Sequence, residues 1–281
     1  MSGFGKLLPA VICVLPLSGV PAGAQWLNYP SAGIPRTKDG KPNLSAPPPR
    51  SAKGRPVLSG LWQTESAPPA MLDRLIPGTT NGVGEEPLSQ YFINIFSDFQ
   101  PEEVPLRPAA AEEFLLRAAN FDRVSPLARC LPEGMPLVEM APAPYKIVET
   151  PGLTVMLYER GTTFRQVYTD GRKSPPDPQP SWLGYSIGRW EGDSFVVATD
   201  GFNDRGWLDA RGHTHSEALR LTERFHRLDF GHLDLQITVD DPETYTRPFT
   251  IHLKQRLIPD SDLLESECAA NEKDAAHAGH K

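Results

Sequence analysis

The sequence predicts an all-β, mainly antiparallel protein: a lipocalin-like up-and-down barrel or half-barrel with one flanking helix and a coil-rich N-terminal half. Three observations predict it. From Tyr145 to Leu257, strand-like segments rich in apolar and β-branched residues follow one another with a period-two pattern, the repeat of strands that bury one face. Short turn signals, among them Pro151-Gly152, Arg160-Gly161, Asp170-Gly171, Glu191-Gly192-Asp193 and Phe230-Gly231, interrupt these segments and have the chemistry of hairpin connections. Consecutive hairpins in such number curl into a barrel or a strongly bent sheet.

The 281 residues divide into four stretches. Met1 to Ala24 carries one cation, Lys6, an apolar run from Leu7 to Leu17 and the small triplet Ala22-Gly23-Ala24. That is the pattern of a signal peptide cut before Gln25, so a periplasmic or secreted protein is expected, without stable membrane insertion because the run is too short to span a bilayer. Residues 25–55 are rich in Pro, Gly and Ser and read as an extended arm. Residues 56–260 are expected to form a single barrel domain and residues 261–281 a polar tail, helical at most from Asp262 to Glu272.

Within the domain, Pro56 to Gln63 offers a first strand containing Gly60-x-Trp62. Tyr91 to Phe96 is an apolar patch that fits either a short strand or an interfacial segment. Ala109 to Phe121 is the clearest helix, with Phe114, Leu115, Ala118 and Phe121 on one side, while Ser125 to Pro144 reads as irregular. Strands are then expected at 145–150, 153–159, 162–169, 182–190, 194–200, 217–229, 232–240 and 248–257. Removal of Cys13 with the signal segment leaves Cys130 and Cys268, an even pair in an oxidising compartment. A disulfide between them closes a long loop worth roughly 3 to 5 kcal/mol on the entropic model, and two separate buried thiols are the alternative.

Gly60-x-Trp62 near the start of a β domain resembles the lipocalin-type proteins, in which the tryptophan plugs one end of the barrel. The motifs Gly188-Arg189-Trp190-Glu191-Gly192-Asp193, Gly201-Phe202-Asn203-Asp204 and Leu221-Thr222-Glu223-Arg224-Phe225 resemble those of a large family of exported bacterial proteins without an assigned activity. This second resemblance runs from about Ser59 to Asn271 and implies an exported single domain; it implies no reaction.

A net charge of −7, with a pI near 5.5 and no Lys/Arg-rich run, gives no footprint for nucleic acid or an anionic lipid surface. A small-molecule ligand is the expected partner, and oligomeric state is left open. The Gly-x-Ser-x-Gly, Gly-x-Gly-x-x-Gly, phosphate-loop and His-Glu-x-x-His patterns are all missing.

Candidate chemistry concentrates between Tyr158 and Glu223. Strand phase puts Glu223 with Leu219, Leu221 and Phe225, and Glu159 with Leu153, Val155 and Leu157. Two carboxylates on core-side parity are either an acid/base pair lining a cavity or members of a structural ion pair with Arg160, Arg165, Arg189 or Arg224. The long loop from Gly201 to Ser216 adds Asn203, Asp204, Trp207, Arg211 and His213. Asp204 and His213 join the two glutamates as candidate catalytic groups, and Asn203, Trp207, Arg211, Tyr158 and Trp182 are candidate ligand contacts. His213-x-His215-x-Glu217 places three ligand-type side chains on one side of an extended segment, compatible with a divalent metal such as zinc or with a surface loop of titrating imidazoles. No cofactor is otherwise implied. Two functions compete: a barrel that binds an apolar or aromatic molecule in its cavity, and an acid/base lyase, isomerase or hydrolase using the same groups, possible also with metal assistance.

Overall fold

The computed structural model describes residues 30–77 and 88–266. The expected signal segment, its expected cleavage point before Gln25 and Cys268 lie outside them. Nine strands close into one barrel in sequence order: β1 (Gly60–Thr64), β2 (Tyr145–Thr150), β3 (Leu153–Tyr158), β4 (Thr163–Tyr168), β5 (Tyr185–Glu191), β6 (Ser194–Asp200), β7 (Arg220–Arg227), β8 (His232–Asp240) and β9 (Phe249–Leu257). Closure comes from antiparallel pairing of β1 with β9, in which Trp62 lies opposite Leu257. Every neighbouring pair is antiparallel except β4 and β5, which run parallel through Val167–Ser186 and Tyr168–Ile187. The barrel is therefore not purely up-and-down. Residues 169–184, rich in proline, run back along the wall instead of forming a hairpin.

The turns after β2, β5 and β7 lie at one end, the base, and the connections after β3, β6 and β8 at the other, the mouth. Gly192 in the β5–β6 turn has φ of +60°, a conformation that its missing Cβ permits. Farther up β5, Gly188 is needed for room: a Cβ there would stand 2.5 Å from the Phe195 ring, which lies over it.

At the base Trp62 is fully buried, and its indole Nε1 donates to the Leu58 carbonyl at 2.8 Å. The Arg227 guanidinium lies 5.0 Å from the centre of the Trp62 ring and donates to the Val57 and Phe230 carbonyls. Burial lowers the Arg227 pKa to about 10. The N-terminal arm wraps this end: Leu44 and Ala46 carbonyls accept from Gly231 and Phe230, Arg36 pairs with Asp260, and Arg50 pairs with Asp193. Above Trp62, inward side chains such as Ile147, Met156, Val167, Phe195, Phe225, Leu235 and Leu253 belong to one apolar core cluster.

The mouth is covered by the chain between β1 and β2, which forms α1 (Pro69–Leu75), α2 (Gln90–Ile93), α3 (Pro108–Ala119), α4 (Phe121–Val124) and α5 (Leu137–Met140). The patch from Tyr91 to Phe96 is neither strand nor interfacial: a single turn capped by the Ser89 hydroxyl, which accepts from Tyr91 N, carries its aromatics inward. The helix expected over 109–121 ends at Ala119, and its apolar side does not face the sheet. Leu115 and Leu116 are 66% and 55% exposed, and Ala110 is the helix's buried residue. In the tail, residues 261–266 are not helical.

Phase on β3 is opposite to the expected one. Thr154, Met156 and Tyr158 are the buried residues, whereas Val155 and Leu157 face outward across from Val148 and Phe164. Glu159 consequently lies outside the barrel, at the β3–β4 turn, where it accepts from the Leu264 backbone N.

Candidate functional site

The sequence-predicted residues separate into three places. Glu223 and Tyr158 belong to a polar layer inside the mouth of the barrel. Arg165 on β4 sends its guanidinium across the interior to Glu223 on β7, with Nη1 donating to Oε1 at 2.9 Å and Nη2 to Oε2. Nη1 also reaches Glu139 Oε1 at 3.2 Å, Nε donates to Ser186 Oγ at 2.9 Å and Nη2 to Thr199 Oγ1 at 2.7 Å. The Tyr158 hydroxyl donates to Glu139 Oε1 at 2.8 Å, and the Tyr145 ring stacks on the Tyr158 ring.

Glu139 comes from the cap and not from the wall. The run Leu137-Val138-Glu139-Met140 is buried along its whole length, and its backbone is tied to β1 by Thr64 Oγ1, which donates to the Glu139 carbonyl at 2.8 Å. Burial first, and the neighbouring Glu223 second, push the Glu139 pKa well above the ordinary carboxyl value. Burial likewise raises the Tyr145 and Tyr158 hydroxyls. The side chains of Arg165, Glu139 and Glu223 are 1%, 0% and 0% exposed. This layer is closed to solvent, and its hydrogen bonds tie β1, β3, β4, β5, β6 and β7 to the cap.

The second place is the loop between β6 and β7. Its Phe202, Trp207 and Leu208 join the core, and the polar residues fold around Asp209. Asp209 Oδ1 accepts from the backbone N of Arg211, Gly212 and His213, while Oδ2 accepts from Ile95 N at 2.7 Å and pairs with His213 Nδ1 at 2.5 Å. The His213 ring stacks on Phe114 with centroids 4.2 Å apart and meets Phe96 edge-on. His215 is buried against Gly206, and its Nδ1 bonds the Ser216 carbonyl at 3.0 Å. Burial lowers the His215 pKa below its ordinary value.

The expected His213-x-His215-x-Glu217 set is not brought together: both imidazoles are buried on separate partners, and Glu217 is exposed. Among the described residues no three His, Cys, Asp or Glu side chains gather as a metal site requires. Asp204 is exposed, Asn203 accepts from Arg205 N, and Arg211 is an exposed residue that donates to the Leu75 carbonyl at 3.0 Å.

The third place is an open cleft of about 540 Å³ between α3, α4 and the outer side of the same loop. Trp182 and Trp207 line it, with Leu116, Val124 and Leu131. Arg205 lies 4.8 Å from the centre of the Trp182 ring and Arg117 5.7 Å from that of Trp207. Arg129 contributes a third guanidinium. Leu116, 55% exposed, and Val124, 40% exposed, leave apolar surface on the cleft wall.

Of the expected site residues, then, Glu223 and Tyr158 share the interior, Asn203, Asp204, Arg211, His213, His215 and Glu217 belong to the loop, Trp182 and Trp207 share the cleft, and Glu159 stands apart. Glu139, Tyr145, Arg117 and Arg129 escaped the sequence reading. A lone carboxyl within Leu-Val-Glu-Met was the available sign of Glu139; the cleft arginines had none, because their convergence depends on how α3 and α4 pack. Family models, curated proteins and solved structures offer no match to this chain, so its site rests on its own geometry.

Proposed function

We propose that this is an exported β-barrel protein that binds a small apolar or aromatic molecule, and that it does so in the cleft walled by Trp182 and Trp207. The observation that carries the reading is the cleft itself: the half-buried Trp182 indole and the exposed Leu116 and Val124 surround about 540 Å³ of open space, with the buried Trp207 ring behind them. That is the volume and lining of a small-molecule site. Export is supported by the charge, apolar run and small triplet of the first 24 residues.

The binding place differs from the barrel interior favoured by sequence alone. The interior carboxyls are 0% exposed, with Glu223 held by Arg165 and Glu139 Oε1 by Arg165 and Tyr158, which supports a structural layer there over an acid/base site. A titration of intrinsic tryptophan fluorescence with neutral naphthamide tests the proposal. Quenching that saturates in the wild type and is lost in Trp182→Ala supports the cleft; equal saturation in the variant rejects it, as does a wild type that does not respond.

A further inference from the structure

The charge in the cleft runs against the charge of the protein. In a chain of net charge −7, three arginines line one small cleft with one carboxylate, Glu113, among its lining residues. Glu113 is already engaged, since it accepts from Arg117 Nε at 2.8 Å. Arg129 and Arg205 have no carboxylate partner among the described residues. Arg117, with a side chain only 14% exposed, is the arginine that Glu113 holds, so Arg129 and Arg205 are the exposed guanidiniums of the cleft.

We propose that the cleft selects an aromatic carboxylate, with the ring lodged beside Trp182 and the carboxylate received by Arg129 and Arg205. The inference rests on the binding reading above and adds the ligand's charge to it. Three features agree on a monoanion. Guanidinium forks match the two oxygens of a carboxylate. The lining carries a formal excess of two positive charges, three arginines against Glu113, and none of the described lining residues adds another anion to oppose a ligand. The Arg205 guanidinium, 4.8 Å from the centre of the half-buried Trp182 ring, holds its N–H groups beside the surface on which a ring would pack.

The experiment compares naphthoate with naphthamide, which share a ring system and differ in charge, by isothermal titration calorimetry at low salt. Wild-type protein is expected to bind naphthoate about tenfold or more tightly than naphthamide, the range of a charge-assisted hydrogen bond in a partly buried site. The double substitution Arg129→Gln/Arg205→Gln, at two exposed positions, is expected to bring that ratio close to one; an unchanged melting temperature establishes that the fold is retained. Equal wild-type affinity for the two compounds overturns the charge inference and leaves the binding site standing. A preference that survives in the double variant overturns it as well. Failure of both compounds to bind removes the site and the inference together.

Discussion

Replacing Arg165 by methionine tests the reading of the barrel interior as a sealed structural layer. The side chain is 1% exposed and makes both bonds to Glu223 as well as those to Glu139, Ser186 and Thr199. Arg165→Met leaves Glu223 in an apolar barrel without its countercharge, while the Ser186 and Thr199 hydroxyls keep their mutual bond at 3.0 Å. Breaking a buried pair from one side costs about 3 to 5 kcal/mol, a large share of the roughly 5 to 15 kcal/mol that holds a domain folded. At about 2 to 4 °C per kcal/mol for a domain of this size, the melting temperature should fall by roughly 6 to 20 °C. The double variant Arg165→Met/Glu223→Leu removes both charges and should recover most of that loss, because apolar replacement of a whole buried pair is often neutral. Urea unfolding followed by circular dichroism at neutral pH measures both variants. A loss below about 1 kcal/mol for the single variant, or a double variant no more stable than the single one, would refute the reasoning and reopen the interior as a solvated, functional site.

Glu139 gives a pH dependence of definite sign. Its raised pKa means that the folded state holds the proton more tightly than the unfolded one, so this contribution is complete below the ordinary value of 4.5 and is lost as pH rises toward the folded value. The difference in stability between wild type and Glu139→Gln should therefore shift against the wild type as pH increases from that value; a difference flat with pH refutes the assignment. His215 has the opposite sign: its lowered pKa keeps stability above 6.5 and removes it as pH falls, so His215→Gln should flatten the acid side of the stability profile. Asp209→Ala should cost about 3 kcal/mol or more, because Ile95, Arg211, Gly212 and His213 lose the acceptor for their backbone N–H groups; chemical denaturation that shows less than about 1 kcal/mol counts against its role as the loop's organiser. Cys130 is expected to pair with Cys268: Ser266 exchanges two hydrogen bonds with Thr162 and lines the same cleft as Cys130, which brings the tail to that side of the barrel. Thiol titration of the mature, denatured but unreduced protein should find neither thiol free.

Much of the fold was readable because turn residues punctuate it. Pro151-Gly152, Glu191-Gly192-Asp193 and Phe230-Gly231 each fall where two strands meet, and Gly60-x-Trp62 marks the strand that closes the barrel. What misled was local ambiguity resolved by tertiary contact. In Leu153-Thr154-Val155-Met156-Leu157 both faces are nearly apolar, so period two cannot tell inside from outside. The inward face is instead fixed by Tyr158, which must reach Glu139, and the outward one by Phe164 opposite Leu157. Residues 170–184 carry turn signals that suit a hairpin as well as the return crossing they make. Glu139 and Glu223 stand 84 positions apart in numbering, and nothing in either segment announces that one guanidinium joins them. The cleft was half legible: aromatic content pointed to Trp182 and Trp207, while its arginines come from α3, the turn after α4 and the β6–β7 loop, which only tertiary packing brings together.

Pairing of β1 with β9 also has a consequence for how the chain reaches its native state. Trp62 meets Leu257 only after nearly the whole described chain has been delivered, so the contact that seals the barrel has one of the largest sequence separations the molecule offers. The β2–β4 meander and the β5–β9 run pair strands that follow one another in sequence, but neither has a complete interior before the ends join. Closure late in folding keeps strand edges open in the partly folded chain, and the arm from Ile34 to Pro56, lying across the base, is placed to guard against pairing between neighbouring chains.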